Sequence, residues 1–319
     1  MLIGILAGLA TCALWGLTFI APRIVDPFST WDLTVARYGI FGLVSVLLML
    51  HPRFRPRGLS VRLWLIGLLL GGAGYVGYFV AVAFAVRLAG AAVPPLVIGT
   101  MPVLLALIAN WRDRSVPWRT LAPPLVLITA GVAIVNLSVI EAAGPEGRGS
   151  LLLGVLAATA GLAIWIVYGL ANAAVMHAPD APDGVHWTGV QGIGAAIGSM
   201  ALLPLTSFSA QAVAGAEMAN FLGWALVMGV AGSWIATFCW VVASGRLPLA
   251  LAAQLIVAET VFGLAYGFLF EARWPQAAEW IGAVLQLVGV AAAVALFSTP
   301  QAEKAEPENE KAGANPGLS

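Results

Sequence analysis

Charge is what this sequence has least of. Of its 319 residues only 9% are Asp, Glu, Lys or Arg, while 61% are apolar; a soluble domain carries roughly a quarter charged residues. A chain so poor in charge cannot coat a water-facing surface, which excludes a soluble globular protein. Cysteine is nearly absent too. Cys12 and Cys239 both fall inside apolar runs, so neither a disulfide framework nor zinc-ligand spacing is available. His51, His177 and His186 are the only histidines, and all lie at the ends of apolar runs or between them. An intramembrane serine hydrolase would therefore lack its base, since Ser233 in Gly232-Ser233-Trp234 has no imidazole to serve it. Also missing are the GxxxxGK[ST] pattern of an ATP-hydrolysing loop and the clustered carboxylates that would hold magnesium and a diphosphate, Asp180 and Asp183 lying in a polar connection. No run alternates with the two-residue period of a barrel strand, so helices are expected. No basic leader precedes the first run, which is expected to be retained.

What the chain does have is long apolar runs. Against the roughly 20 residues that a helix needs to cross a bilayer, ten spans are expected. They are Leu2 to Ile20, Leu33 to Leu50, Leu63 to Val86, Ala91 to Trp111, Leu121 to Val139, Leu151 to Val175, Trp187 to Leu203, Phe221 to Ala243, Leu247 to Phe270 and Ala277 to Phe297. The chain also repeats itself. Gly4, Leu6, Ala7, Ala10, Ala13 and Trp15 recur 150 residues later as Gly154, Leu156, Ala157, Ala160, Ala163 and Trp165. Asp113, Pro117, Val126, Leu127, Gly131, Val132 and Ala133 match Glu271, Pro275, Val284, Leu285, Gly289, Val290 and Ala291 at an offset of 158. Five spans in each copy is an odd number, so the second copy enters from the opposite side, the architecture of alternating-access carriers. The expected fold is an all-α polytopic membrane protein: ten transmembrane helices forming two inverted five-helix repeats around a central cavity. Residues 1–140 form the first repeat, 150–298 the second and 299–319 a tail. That tail, rich in Glu, Ala, Pro, Asn and Lys, is expected to be disordered and cytoplasmic.

Basic residues set the orientation. Arg53, Arg55, Arg57, Arg62, Arg112, Arg114, Arg119, Arg246, Lys304 and Lys311 fall on one side, and Arg23, Arg87, Arg148 and Arg273 on the other. Both termini are therefore expected in the cytoplasm. Trp31, Trp64, Trp111, Trp118, Trp187, Trp274 and Trp280 cluster at span ends, as interfacial belt residues do. Gly67 with Gly71 and Gly194 with Gly198 form GxxxG pairs that let spans 3 and 7 approach their neighbours closely.

Candidate site residues stand on one-sided stripes. Thr11, Trp15 and Thr18 share a face of span 1; Tyr75 and Tyr78 lie three apart in span 3. Trp165, Tyr168 and Asn172 follow one another in span 6, and Ser233, Thr237, Trp240 and Ser244 in span 8. Such stripes suit the walls of one chamber that takes a small zwitterionic or amphipathic solute; the alternative is hydroxyls bonded back to their own helices and rings filling space. Glu259 lies about eleven residues into span 9, roughly 16 Å along the axis and close to the bilayer centre. Placing a charge there costs roughly 2.5 to 3.5 kcal/mol. It either faces the cavity, binding an ammonium group or carrying a proton, or is a neutral or Arg37-paired acid holding spans 2 and 9 together. Arg37, roughly 7 Å inside span 2, is expected to snorkel outward in a structural role. Pro102 is the candidate kink of span 4 and a bending point for gating.

These residues also carry a resemblance. Trp15-Gly16, Arg37, Met101-Pro102, the acid Asp113 and Gly131, with Trp165, Glu259-Thr260, Glu271 and Gly289 in the second copy, resemble the paired EamA-type units of the drug/metabolite transporter superfamily. The family pattern often has Glu-Pro at the midpoint of the fourth and ninth spans. Here the first copy keeps only the proline and puts Met101 at the acid's place, while the second keeps only the acid, Glu259. The overall look is similar to YddG-type amino-acid exporters. The resemblance implies no enzyme but a secondary transporter of the inner membrane, exporting small metabolites, above all amino acids, by alternating access; nucleosides, cationic drugs or a membrane-embedded enzyme are the alternatives. A small solute and the lipid bilayer are the expected partners, with no cofactor, metal or nucleic acid.

Overall fold

A computed structural model describes residues 2–113, 116–142, 144–176, 178–208, 215–244, 246–247 and 249–298. It is 84% helix, with no strand among the described residues. α1 (Leu2–Gly16) continues through a 3-10 turn, Leu17–Phe19, into a single further turn, α2 (Ala21–Ile24). α3 (Thr30–Met49) begins with a reciprocal cap: the Ser29 hydroxyl accepts from Asp32 N, and the Asp32 carboxylate accepts from Ser29 N. α4 (Val61–Leu69) runs through a π-helical stretch, Leu70–Tyr75, into α5 (Val76–Ala89), which Gly90 stops at φ 80°. α6 (Val93–Ile98), α7 (Met101–Asp113) and α8 (Trp118–Ala142) follow. Next come α9 (Gly144–Met176) and α10 (Gly184–Met200), the latter capped by Asp183. α11 (Gly215–Leu226) passes through a second π-helical stretch, Val227–Ile235, into α12 (Ala236–Ser244), and α13 (Leu249–Phe270) and α14 (Ala277–Ser298) complete the described helices.

Among the described residues, six segments are long and apolar enough to cross a membrane: Leu2–Phe19, Thr30–Met49, Val61–Ala89, Trp118–Ser138, Gly147–Met176 and Gly215–Ala243. Shorter apolar helical segments cover Val93–Leu105, Leu255–Phe270 and Ala277–Ala293. Large apolar side chains on their outer faces, such as Leu6, Leu47, Leu69, Val126 and Leu156, are more than half or nearly half exposed, as befits helices bathed in hydrocarbon. The chain is a polytopic membrane protein. Its span 4 is broken at Gly99–Thr100. Thr100 N turns to the Val97 carbonyl, leaving the Leu96 carbonyl without its helical donor, and Gln286 Nε2 of α14 supplies one at 2.5 Å. Pro102 is the second residue of α7, just past the break, where a missing N–H costs nothing; its side chain, like those of Asp113 and Ser244, lies outside the described residues, as do His177 and the tail from Thr299 to Ser319.

Helices pack in specific pairs: α8 on α14, α5 on α9, α3 on α10, and α1 on both α12 and α13. The α8–α14 contact is the most extensive. It is a backbone seam: a Cβ at Gly131 would meet the Gly282 carbonyl oxygen at 2.5 Å, and one at Gly289 would meet the Pro124 carbonyl oxygen at 2.8 Å. Glycine likewise lets span 3 lie on span 7, Gly71 against the Gln191 and Ala195 backbone and Gly194 against Leu68.

The molecule has two distinct ends. At one, Arg23 pairs with Glu271, Arg87 with Asp26 and with the Phe28 carbonyl, and Asp32 accepts from Ser207 N and Oγ. At the other, His186 Nε2 lies 2.9 Å from the Arg53 carbonyl and Gly4 abuts Arg246 and Leu247.

Candidate functional site

The sequence stripes converge on a chamber of about 680 Å³, within the ~300–1,000 Å³ usual for small-molecule sites. Its walls come from α1, α9, α10, α12, α13 and both sides of the broken span 4. Trp15, Tyr75, Trp165, Tyr168, Asn172, Thr237, Trp240 and Glu259 all line it, and so does Met101. Toward one end it reaches Met176, Gly184 and Trp187 beside the 178–183 connection; none of Arg23, Glu271, Arg273 or Glu279 lines it. A smaller recess of about 40 Å³ continues from the chamber, and there Tyr78 and Ser233 join Trp15, Tyr75, Trp165, Thr237 and Glu259.

Stacked rings form one wall. Trp165 lies parallel to Tyr168, with centroids 4.5 Å apart and planes 6° from each other, and stacks on Tyr78 at 4.6 Å. Trp15 and Trp240 approach to 6.1 Å. A hydrogen-bonded chain fixes the polar edge of this wall. Tyr168 OH donates to Gln191 Oε1 at 2.8 Å and shares a hydrogen bond with Tyr75 OH at 2.9 Å. Gln191 Nε2 donates to Asn172 Oδ1 at 2.9 Å, and Trp187 Nε1 to the same oxygen at 2.7 Å. These bonds link Tyr75, Tyr168, Gln191, Asn172 and Trp187 into one network that orders the wall. Gln191 was not singled out from the sequence; a lone amide in an apolar run was its only signal. Trp187 corrects its belt assignment: it is 3% exposed and faces the chamber, whereas Trp111 and Trp274 stay on the outside.

Arg37 is corrected as well. It is 6% exposed, so it does not snorkel; it turns inward because the π-helical stretch of span 8 offers it acceptors. Nε donates to Ser233 Oγ at 3.1 Å, Nη2 to the Gly232 carbonyl at 3.3 Å and Nη1 to Thr18 Oγ1 at 3.4 Å. Widened turns of this kind recur at functional sites because they re-aim side chains and carbonyls. The guanidinium also lies 4.4 Å over the Phe79 ring. It is not paired with Glu259. The ion pairs among the described residues join Arg23 and Arg273 to Glu271, Arg273 to Glu279 and Arg87 to Asp26; Arg37 and Glu259 belong to none of them. Glu259 sits midway along α13 and lines both the chamber and the recess. No donor among the described residues lies within hydrogen-bond distance of its carboxyl.

At the end away from Met176 and Gly184 stands a network of charge. Arg23 Nη1 meets Glu271 Oε1 at 2.6 Å, Arg273 Nε meets Glu271 Oε2 at 2.7 Å, and both Nη atoms of Arg273 grip Glu279 at 2.7 Å. This fork holds the Arg273 guanidinium above its ordinary range of protonation. The rings of Phe28 and Phe221 stack at 4.1 Å at the same end, with Phe208 against both.

Comparisons with known proteins agree with this picture. Residues 2–137 match the EamA-like transporter family. The chain is 31% identical over 308 residues to the inner membrane protein YtfF of Escherichia coli (strain K12), covering 92% of this chain and 95% of that one. A solved crystal structure shares the fold at a TM-score of 0.60 and 21% identity, over 92% of this chain and 98% of the other. This apolar bundle, with its polar-edged chamber, belongs to the EamA-like transporter family, within the drug/metabolite transporter superfamily.

Proposed function

We propose that this chain is an inner-membrane secondary transporter that exports amino acids by alternating access between two inverted five-helix halves. The observation that carries this reading is the chamber itself: apolar and aromatic around its walls, lined by Glu259, which joins no ion pair among the described residues, and reaching one end of the molecule while ion pairs cluster at the other. Hydroxyls and amides suit a polar head group, and stacked rings suit an apolar side chain.

Helix pairing supports the inverted halves. A twofold operation exchanging spans 1 with 6, 2 with 7, 3 with 8, 4 with 9 and 5 with 10 turns the α5–α9 contact into α12–α1, and maps α3–α10 and α8–α14 onto themselves. The glycine seam obeys the same operation, since Gly131 and Gly289, Pro124 and Gly282, and Ile128 and Gln286 all stand 158 residues apart. Both third spans also widen into π-helical turns. With the basic residues of 53–62 on the cytoplasmic side, the chamber faces the cytoplasm and the Arg23–Glu271 cluster seals the outer face. Impermeant labelling of tags at Arg57 and Glu271 is expected to reach opposite compartments; exposure of both to one compartment refutes the inversion.

Counterflow with purified protein in vesicles, offering amino acids, nucleosides, sugar phosphates and cationic drugs side by side, tests the substrate class. Amino acids are expected to drive accumulation of labelled amino acid. Exchange confined to any other class overturns the assignment.

A further inference from the structure

The recess that continues from the chamber is lined by a basic and an acidic side chain that do not touch. Arg37 and Glu259 both line it, yet neither belongs to an ion pair. Arg37 is oriented rather than neutralised. A guanidinium has five donors; Ser233, Gly232 and Thr18 take three of them, all through uncharged oxygens. One N–H on each of Nη1 and Nη2 is left unclaimed among the described residues, and the charge is met by the Phe79 ring but by no anion. Among the described residues the Glu259 carboxyl likewise forms no ion pair. Keeping an arginine and a carboxyl group apart within the membrane is costly, and the two would relieve each other if they met. The fold prevents this by anchoring Arg37 to spans 1 and 8 and carrying Glu259 on span 9.

We infer that Arg37 and Glu259 are the two poles of a receptor for an α-amino acid head group, Arg37 taking the carboxylate and Glu259 the ammonium. The inference rests on the amino-acid reading above and adds which atoms of the solute are recognised, and by what. Size agrees: at the ~10–15 Å³ that one water needs by the same measure, the 40 Å³ recess admits a head group and little more. The side chain then projects past Trp165 and Trp15 into the larger chamber, whose rings accept apolar and aromatic groups. Selectivity follows from charge. A free amine places its cation in the field of Arg37 with no carboxylate to answer it, and a carboxylic acid meets Glu259 in the same way. This gives Arg37 a recognition role that its position near one end of span 2 does not suggest.

The test uses the full-length protein in proteoliposomes, with counterflow of labelled phenylalanine inhibited by phenylalanine, phenethylamine or 3-phenylpropionate. Each analogue lacks one pole and is expected to inhibit at least about tenfold more weakly than phenylalanine, the loss of one charged hydrogen bond. Arg37→Gln is expected to raise the KM for phenylalanine and remove the advantage over phenethylamine, leaving the penalty on 3-phenylpropionate; Glu259→Gln is expected to do the reverse. Phenethylamine inhibiting the unaltered protein as well as phenylalanine does overturns the receptor, whether or not the variants fold. So does a folded Arg37→Gln protein that still discriminates against it. If no amino acid supports counterflow, it is the amino-acid reading that falls, a result distinct from exchange that ignores the carboxylate.

Discussion

Replacing Glu271 by Gln is expected to unlock the outer face. Glu271 joins α13 to the turn after α1 through Arg23 at 2.6 Å, and to the α13–α14 connection through Arg273 at 2.7 Å. The Arg23 and Arg273 side chains are 36% and 35% exposed and that of Glu271 is 17% exposed, so solvent screens these pairs and each contributes about 1 kcal/mol. Only the Arg23 pair joins parts that would separate on opening, Arg273 lying two residues from Glu271, so loss of the Arg23 pair shifts the balance between sealed and open conformations by about 1 kcal/mol, roughly fivefold. Arg273 keeps its fork on Glu279, so the connection itself stays ordered. The assay is alkylation of Thr237→Cys, a chamber position, in a background with Cys12 and Cys239 replaced, by a membrane-impermeant maleimide added from outside. The labelling rate is expected to rise about fivefold with Glu271→Gln, and by about as much with Arg23→Gln, which removes the same bridge. High salt should move the unaltered protein in the same direction. Equal rates with and without Glu271 would refute the lock.

Three further outcomes are expected. Glu259→Gln should abolish any pH-dependent component of transport in proteoliposomes under imposed pH gradients; unchanged flux at every gradient refutes proton coupling through this residue. Trp165→Ala removes two stacked contacts, with Tyr78 and Tyr168, each worth about 0.5–1.5 kcal/mol, and should raise KM about tenfold with the protein still folded; normal kinetics would remove the proposed ring wall. Gln286→Leu strands the Leu96 carbonyl beside the break in span 4 and should destabilise the protein by about 1–3 kcal/mol, read as earlier thermal unfolding in detergent; an unchanged midpoint would show that the break finds another donor.

The chamber wall was legible because a helix shows one face to a cavity, and a period of three and four residues exposes that face in the sequence. Tyr168 and Asn172 on α9, or Thr237 and Trp240 on α12, need no three-dimensional information to be grouped. Arg37 was not legible in the same way. Its inward turn depends on the π-helical stretch Val227–Ile235, an interruption of the helical ladder that leaves the apolar pattern untouched, so distance from the membrane surface favoured a snorkelling arginine. Trp187 was misread for a related reason, since an indole at the end of a run marks a lipid interface or a cavity rim equally well until its neighbours are known. Span 4 breaks at Gly99–Thr100, ahead of Pro102, and the partner that makes the break tolerable is Gln286, 190 residues away.

The seam between α8 and α14 has a mechanical consequence. Around Gly131 and Gly289 the two helices come to main-chain distance, with Ile128, Val135 and Gln286 packed beside the glycines, so the joint has few rotamers to rearrange. It cannot be loosened one contact at a time, nor slid to a new register without lifting a carbonyl off its glycine. In the alternating-access cycle proposed above, that pair is the axle about which the halves would turn rather than part of either moving door.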